Sequence, residues 1–353
     1  MASTIPSRTH AYRLPKYEGI QSLVLEEGPI PKPKDNEVLV KVHAVSLNYR
    51  DLLIASGKYF RGLKTNVIPA SDMSGTIVFL GSDVKGWQVG ERVCASFFLD
   101  HLFGDGTIEA FNTALGGSVD GVLTEYRVFP AYTSSAQSLV RAPANLTHVE
   151  ASTLPCAAVT AYNALLGLRP VKAGETVLCL GTGGVSIFAA QIAKASGAEV
   201  IITSSSDEKL ALAKKLGAKH GINYKTHPEW EKEVLRITNG RGVDHVLEVG
   251  GPGTFDKSVA SVRLQGNIYV IGSVAGIKEG SNVSTKVHEK GIVLRGILVG
   301  PRSSFEDMNR LIEVNNVKPA VSKVFSFEQA KEAYEFLQAQ KHVGKVVIQV
   351  AQD

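Results

Sequence analysis

The 353-residue chain has only three cysteines, Cys94, Cys156 and Cys179. So few, so scattered, exclude a disulfide framework and a cysteine-rich zinc module, and they predict a reducing, cytoplasmic setting. Aromatic residues are scarce at 7%, and long apolar runs are lacking. The most lipid-like stretch, 151–168, is broken by Pro155, Asn163 and two threonines and reads as a buried helix. Residues 1–10 have no apolar core of the kind a secretory signal carries. An excess of one charge is missing too, since 38 Lys and Arg face 34 Asp and Glu, interspersed, for a net +4. Nothing electrostatic favours nucleic acid or an anionic membrane, so the expected partner is a small molecule.

What the chain has in quantity is glycine, 34 residues of it, in a composition of 44% hydrophobic and 20% charged residues. The length predicts two domains at roughly 150 residues each. In 37–46, Val38, Val40, Val42 and Ala44 alternate with Lys41 and His43, which predicts a half-exposed strand. Further strands near 74–80 and 90–95, with turns between, suggest a rolled antiparallel unit. Segment 99–121, with five glycines and little period, reads as an exposed loop.

From residue 175 the rhythm changes. Strands at 176–180, 200–203, 245–249, 267–271 and 293–299 alternate with helices at 185–196 and 207–216, closed by Gly197 and Gly217. This is an α/β pattern of right-handed βαβ units and a doubly wound parallel sheet. A helix at 327–338 and a strand at 345–350 leave that rhythm, and are expected to return to the first domain.

The strongest chemical signal is VLCLGTGGVSIF. Gly181, Thr182, Gly183, Gly184 and Val185 sit where a strand turns into a helix, so backbone can approach a pyrophosphate under the helix N-terminal amides. The third glycine of the usual fingerprint is replaced by Ser186. At the end of the next strand, Ser204 stands where an NAD site usually has a carboxylate, with Lys209 on the following turn and Asp207 read as the helix N-cap. A carboxylate some 4 Å from a 2'-phosphate would repel it by about 4 kcal/mol at an effective dielectric near 20. Its absence, with Lys209 nearby, points to NADP(H). Tyr224 follows the third strand and could flank the adenine ribose.

The segments EVLVKVHAVSLNYRD, PASDMSGTIVFLGSDVKGWQVGERV, LPCAAVTAYNALL, GTGGVS and HVGKVVI together resemble the medium-chain dehydrogenase/reductase superfamily, in its zinc-lacking, quinone-oxidoreductase-like branch. The resemblance spans nearly the whole chain. It implies a Rossmann NADP-binding domain, 156–300, inserted into a GroES-like β-rich catalytic domain, 1–155 with 301–353, and an active site in the cleft between them. Relatives with a catalytic zinc hold it by a cysteine, a histidine in a GHE motif and a second cysteine. Here those positions match Asn48, Ser71 and Cys156, with Asp72 at the acidic place. Two of four are poor zinc ligands, so no metal is expected. The structural zinc lobe is absent as well.

The resemblance further implies catalytic roles for Asn48, Tyr59, Asp72 and Cys156, and cofactor contacts from Asn48, Thr160, Gly250, Gly272, Ser273, Val299 and Lys345. Arg50 and Asp51 are expected to form an ion pair. Without a Lewis acid, a localised alkoxide is hard to stabilise, whereas the delocalised anion from a conjugated acceptor needs only hydrogen-bond donors. The expectation is therefore an NADPH-dependent quinone or α,β-unsaturated carbonyl reductase. An alcohol or aldehyde dehydrogenase with residual metal binding, and a low-turnover NADPH-binding structural or redox-sensing protein, are the alternatives. A homodimer through the strand in GIVLRGILVG is expected by resemblance.

Overall fold

The computed structural model describes residues 5–131, 137–272 and 283–352. The chain divides into two compact units, Met1–Val159 with Gly300–Asp353, and Thr160–Val299. The first begins with strands β1 Arg8–Arg13, β2 Val24–Pro29, β3 Glu37–Leu47, β4 Asp72–Leu80, β5 Arg92–Ala95, β6 Tyr126–Pro130 and β7 Leu139–Arg141. The second holds β8 Thr176–Cys179, β9 Glu199–Ser204, β10 His220–Asn223, β11 Val243–Glu248, β12 Val262–Val270 and β13 Val293–Gly296. The chain then returns to the first unit with β14 Val321–Ser326 and β15 Lys345–Gln349.

In the first unit the sheet runs β14-β15-β3-β4-β5-β7, β6 also pairs with β3, and β1 pairs with β2. The valines of β3 do line the core, with Val38, Val40, Ile77, Phe129 and Tyr334 fully buried. Burial of each such large side chain is worth about 1.5–3 kcal/mol. The half-exposed reading of β3 is corrected, because every residue from Val42 onward is buried. The short helix His148–Ala151 covers the far face, and His148 stacks on His43 with ring centroids 4.2 Å apart. Strand β15 lies antiparallel to β3, Val346 opposite Leu47, so the last strand of the sequence sits beside the third.

Segment 99–121 is only partly the exposed loop expected. A helical turn, Ile108–Phe111, is capped by Thr107, and Ala114, Leu115 and Gly117 are buried. Gly116 and Gly121 explain the burial, since a Cβ at either would collide with the backbone of Ala70, just ahead of β4. Beyond the second unit, the helix Arg302–Val314 follows Pro301. Its Arg302 and Asn309 side chains donate to the carbonyls of Leu139 and Arg141.

In the second unit all neighbours are parallel, in the order β10-β9-β8-β11-β12-β13. Numbered within the unit this is 3-2-1-4-5-6, a doubly wound sheet whose direction of winding reverses between β8 and β11. β11 is buried along its whole length, as a strand covered on both faces must be. Three local expectations are corrected. The stretch 151–168 is not one regular helix but includes π-helical turns at Leu154–Ala158 and Asn163–Gly167. β13 ends at Gly296. The helix Asp207–Leu216 is capped by Ser206, whose hydroxyl accepts from the Lys209 amide, while Asp207 is its first residue and accepts from Asn223.

Candidate functional site

At the winding reversal, the turn after β8 and the loop after β11 leave adjacent strands at their carboxyl ends, the usual place for a ligand in such a sheet. Gly181 has φ +73°, a backbone other residues adopt only with strain, and its amide donates to Thr203 Oγ1 at 3.2 Å. Ser186 Oγ donates to the Leu180 carbonyl at 2.6 Å, which ties the helix to the strand where the usual glycine is missing. A Cβ built at Gly181 or Gly183 meets nothing within 4 Å. The turn therefore presents open backbone ahead of the helix Gly184–Ala195, which fits a dinucleotide pyrophosphate.

Ser204 ends β9 buried, and its carbonyl accepts from the Tyr224 amide at 2.9 Å. Tyr224 itself is exposed, and burial lowers the pKa of Lys209 from its ordinary value. Glu248, which sequence reasoning missed, organises the loop after β11. It is fully buried, and its carboxylate accepts from the amides of Gly250 and Gly251, from Thr254 Oγ1 and from Ser258 Oγ. The signal for it was a carboxylate at a strand end directly before VGG. Gly272 follows β12, and Ser273 lies outside the described residues. Val299 has a left-handed φ of +55°, held by Asn163 Nδ2, which donates to its carbonyl at 2.7 Å. Thr160 is buried at the start of this unit.

The first unit has its own polar centre, built at the ends of three strands. Asn48 follows β3 directly and caps the helix Tyr49–Ala55, Asp72 begins β4 and Lys345 begins β15. Lys345 is 3% exposed, and its Nζ donates to the Leu47 carbonyl at 2.6 Å and to Asn48 Oδ1 at 2.5 Å. The same ammonium lies 3.8 Å from Asp72 Oδ2. Asp72 also accepts from Ser71 Oγ at 2.6 Å and from the Cys156 amide at 3.0 Å. Burial raises its pKa, against the lowering effect of Lys345 and the nearby Asn48 amide. That amide's Nδ2 is buried and makes no hydrogen bond among the described residues. Loss of water around the Cys156 sulfur, with Asp72 beside it, pushes the thiol up to about 12.

Behind this centre Asp51 accepts from the Asn48 amide at 2.8 Å and lies 3.6 Å from Arg50, which is the expected ion pair. Burial outweighs Arg50 and raises the Asp51 carboxyl to about 6. Tyr59 joins the group through the Arg50 guanidinium, which lies 5.0 Å over its ring. The structure thus brings Asn48, Asp72, Cys156 and Lys345 together, with Tyr59 at one remove. Among the described residues no three His, Cys, Asp or Glu side chains converge as metal ligands. With Asn48 and Ser71 at two of the metal positions, the donor set does not fit a catalytic zinc.

Two family models match the chain. The alcohol dehydrogenase GroES-like domain matches 34–140, and the zinc-binding dehydrogenase family matches 184–314. A zinc-type alcohol dehydrogenase-like protein of Schizosaccharomyces pombe is 48% identical over 94% of this chain and 96% of its own. This chain belongs to the medium-chain dehydrogenase/reductase superfamily. An acryloyl-coenzyme A reductase of Sulfurisphaera tokodaii is 31% identical, over 93% of this chain and 96% of that protein. A solved NAD-dependent alcohol dehydrogenase superposes with a TM-score of 0.88 at 30% identity, covering 97% of this chain and all of that one. As a member of this superfamily the chain is an oxidoreductase, with a nicotinamide-binding Rossmann unit and a GroES-like unit. No helix among the described residues is long and apolar enough to cross a membrane.

Proposed function

We propose that this medium-chain oxidoreductase uses NADPH to reduce a quinone or an α,β-unsaturated carbonyl without zinc. The observation that carries this reading is the Lys345–Asn48–Asp72 centre, where a lysine, an amide and a carboxylate occupy the ground that resemblance assigns to metal ligands. A bound nicotinamide supplies the hydride. The protein's share is to receive the negative charge left on the acceptor. Asn48 Nδ2 is a buried N–H beside Asp72, and Lys345 holds the amide by its oxygen. Such neutral donors suit a charge spread over an enolate or quinol better than a localised alkoxide. Asp72, held by Ser71 and the Cys156 amide, fixes the ammonium in place.

Ser204 without a carboxylate, and Lys209 on the next helix, support a preference for the 2'-phosphate of NADPH. The relative acting on acryloyl-coenzyme A supports a conjugated acceptor. Strand β13 is the sheet edge and leaves Val293 and Leu294 more than a third exposed, which supports a homodimer formed edge to edge.

The test is NADPH against NADH consumption by the purified protein over quinones, enones and aldehydes, with and without a chelator. The reading expects NADPH-driven turnover of quinones or enones that survives chelation, and a weaker NADPH preference in Lys209→Ala. An NADH preference overturns the cofactor assignment, and activity lost to the chelator overturns zinc independence.

A further inference from the structure

A pocket of about 590 Å³ opens on the first unit, with His43, Thr76, Arg92, Asn145, Thr147 and His148 in its lining. It shares no residue with the centre of Asn48, Asp72 and Lys345. His43 precedes Asn48 by five residues of extended chain, roughly 17 Å.

Strand register explains why basic groups gather there. Lys41 of β3 lies opposite Thr76 of β4, and Thr76 opposite Arg92 of β5, so the three side chains form a row on one face of the sheet. His43 is two residues beyond Lys41, and the His148 ring stacks on it. Thr76 Oγ1 lies 3.3 Å from His43 Nε2 and 3.4 Å from His148 Nε2, so both rings turn that nitrogen toward one hydroxyl. Ser74 Oγ, 2.8 Å from His148 Nδ1, fixes the other side of that ring. Arg92 donates to the Leu146 carbonyl at 2.5 Å through one terminal nitrogen. Neither Arg92 nor Lys41 makes an ion pair among the described residues, although both are half-buried.

Among the described residues no carboxylate lines the pocket. Those on neighbouring elements are engaged elsewhere. Glu91 pairs with Arg141 at 3.3 Å, Glu150 accepts from the Thr147 amide at 2.9 Å, Glu313 from the Ala144 amide at 2.9 Å and Glu37 from the Lys34 amide at 2.9 Å. β4 and β15 contribute Asp72 and Lys345, which pair with each other in the polar centre. β6 contributes Tyr126 and Arg127, the latter donating to the Asp120 carbonyl at 3.0 Å. Cys94 of β5 stays neutral, its thiol pushed up to about 12 by burial.

Arg92 from β5, His43 from β3 and His148 from the helix His148–Ala151 put N–H groups on different walls, with Lys41 in the same row. A flat carboxylate meets such donors along one edge, whereas a tetrahedral oxyanion has an oxygen for each wall. We propose that this pocket binds a phosphate or sulfate group, at a site separate from the nicotinamide and polar centres. The cavity exceeds the ion itself and leaves room for the body of an ester. The imidazoles join the guanidinium in holding the anion when they are protonated, so the site is strongest below neutral pH.

The test titrates the full chain, its histidines 13C-labelled, with sodium sulfate at fixed ionic strength, and follows the ring C–H groups by NMR. His43 and His148 are assigned by the signals missing from His43→Gln and His148→Gln. Both should shift saturably, with a Kd in the millimolar range or below. Sulfate stays doubly charged from pH 5.5 to 7.5, while an ordinary imidazole with a pKa near 6.5 goes from about nine-tenths to about one-tenth protonated, so the Kd should rise about tenfold or more. Arg92→Gln keeps a donor for the Leu146 carbonyl and should raise the Kd at pH 5.5 about tenfold. Acetate should bind about tenfold more weakly than sulfate. No saturable shift, the same shift from chloride, equal binding of acetate, or a Kd indifferent to pH or to Arg92→Gln overturns the proposal. If a histidine variant fails to fold, titration calorimetry of wild type and Arg92→Gln in the presence of NADP+ makes the same comparisons by the same criteria. Inorganic phosphate and glycerol 3-phosphate at pH 5.5 then separate the sources. Binding of both marks a phosphoester ligand, and binding of the free ion alone marks an inorganic one.

Discussion

Lys345→Met removes the cation of the polar centre while keeping most of its volume. At 3.8 Å the ammonium and Asp72 attract by about 4 kcal/mol at an effective dielectric near 20. Breaking a buried pair from one side typically costs about 3–5 kcal/mol. Protonation sets a ceiling on that cost. An ordinary aspartate pKa near 3.9 makes protonation of the stranded carboxyl cost about 4 kcal/mol at pH 7 but only about 1.5 kcal/mol at pH 5. The folded variant then binds a proton that the unfolded chain does not, so its stability falls as pH rises. The Leu47 carbonyl and Asn48 Oδ1, both stripped of a donor, add a pH-independent loss of about 1–3 kcal/mol. The assay follows Trp87 fluorescence through urea unfolding at pH 5 and pH 7, in a Trp230→Phe background. The chain has two tryptophans, and Trp87 reports on the first unit. The variant should lose about 2–3 kcal/mol more at pH 7 than at pH 5. A penalty of equal size at both pH values, or one below about 1 kcal/mol, refutes the view that Lys345 neutralises Asp72.

Gly181→Ala should strain a left-handed turn by about 1–2 kcal/mol and raise the Kd for the dinucleotide at least tenfold, read by fluorescence titration. Unchanged affinity would mean that the open backbone there does not face the pyrophosphate. Asp51, raised to about 6, contributes most to stability below about pH 4 and loses that contribution as pH rises through 6. Asp51→Asn should therefore flatten the stability profile of the first unit between pH 4 and 6, and a profile as steep as wild type counts against a buried, protonated Asp51.

The parallel sheet was readable because its strands are short apolar runs divided by helices that stop at Gly197 and Gly217, so period and punctuation agreed. The turn at Gly181 was readable for the same reason. The burial of His43 was not, since its cover comes from His148, more than a hundred residues away, and no local alternation reports such a partner. Segment 99–121 misled because Gly116 and Gly121 look like loop residues, whereas they serve a close approach to Ala70. Asn48, Asp72 and Cys156 were legible only through resemblance to a metal site. That Lys345 binds them into one centre depends on the register of β15 against β3. Glu248 was invisible because its partners are backbone amides and hydroxyls that appear only once the loop has turned back on the strand.

The pairing of β15 with β3 also sets an order on how the protein is made. Synthesis runs from the N-terminus, and the whole second unit leaves the ribosome before Lys345 does. Until then Asp72 lacks the cation beside it and β3 lacks its C-terminal neighbour. The nicotinamide-binding unit can fold while the chain is still growing, but the polar centre of Asn48, Asp72 and Cys156 is completed only once Lys345 has emerged. A chain that stops short of Lys345 would therefore keep every residue of its Rossmann unit and leave Asp72 without its cation.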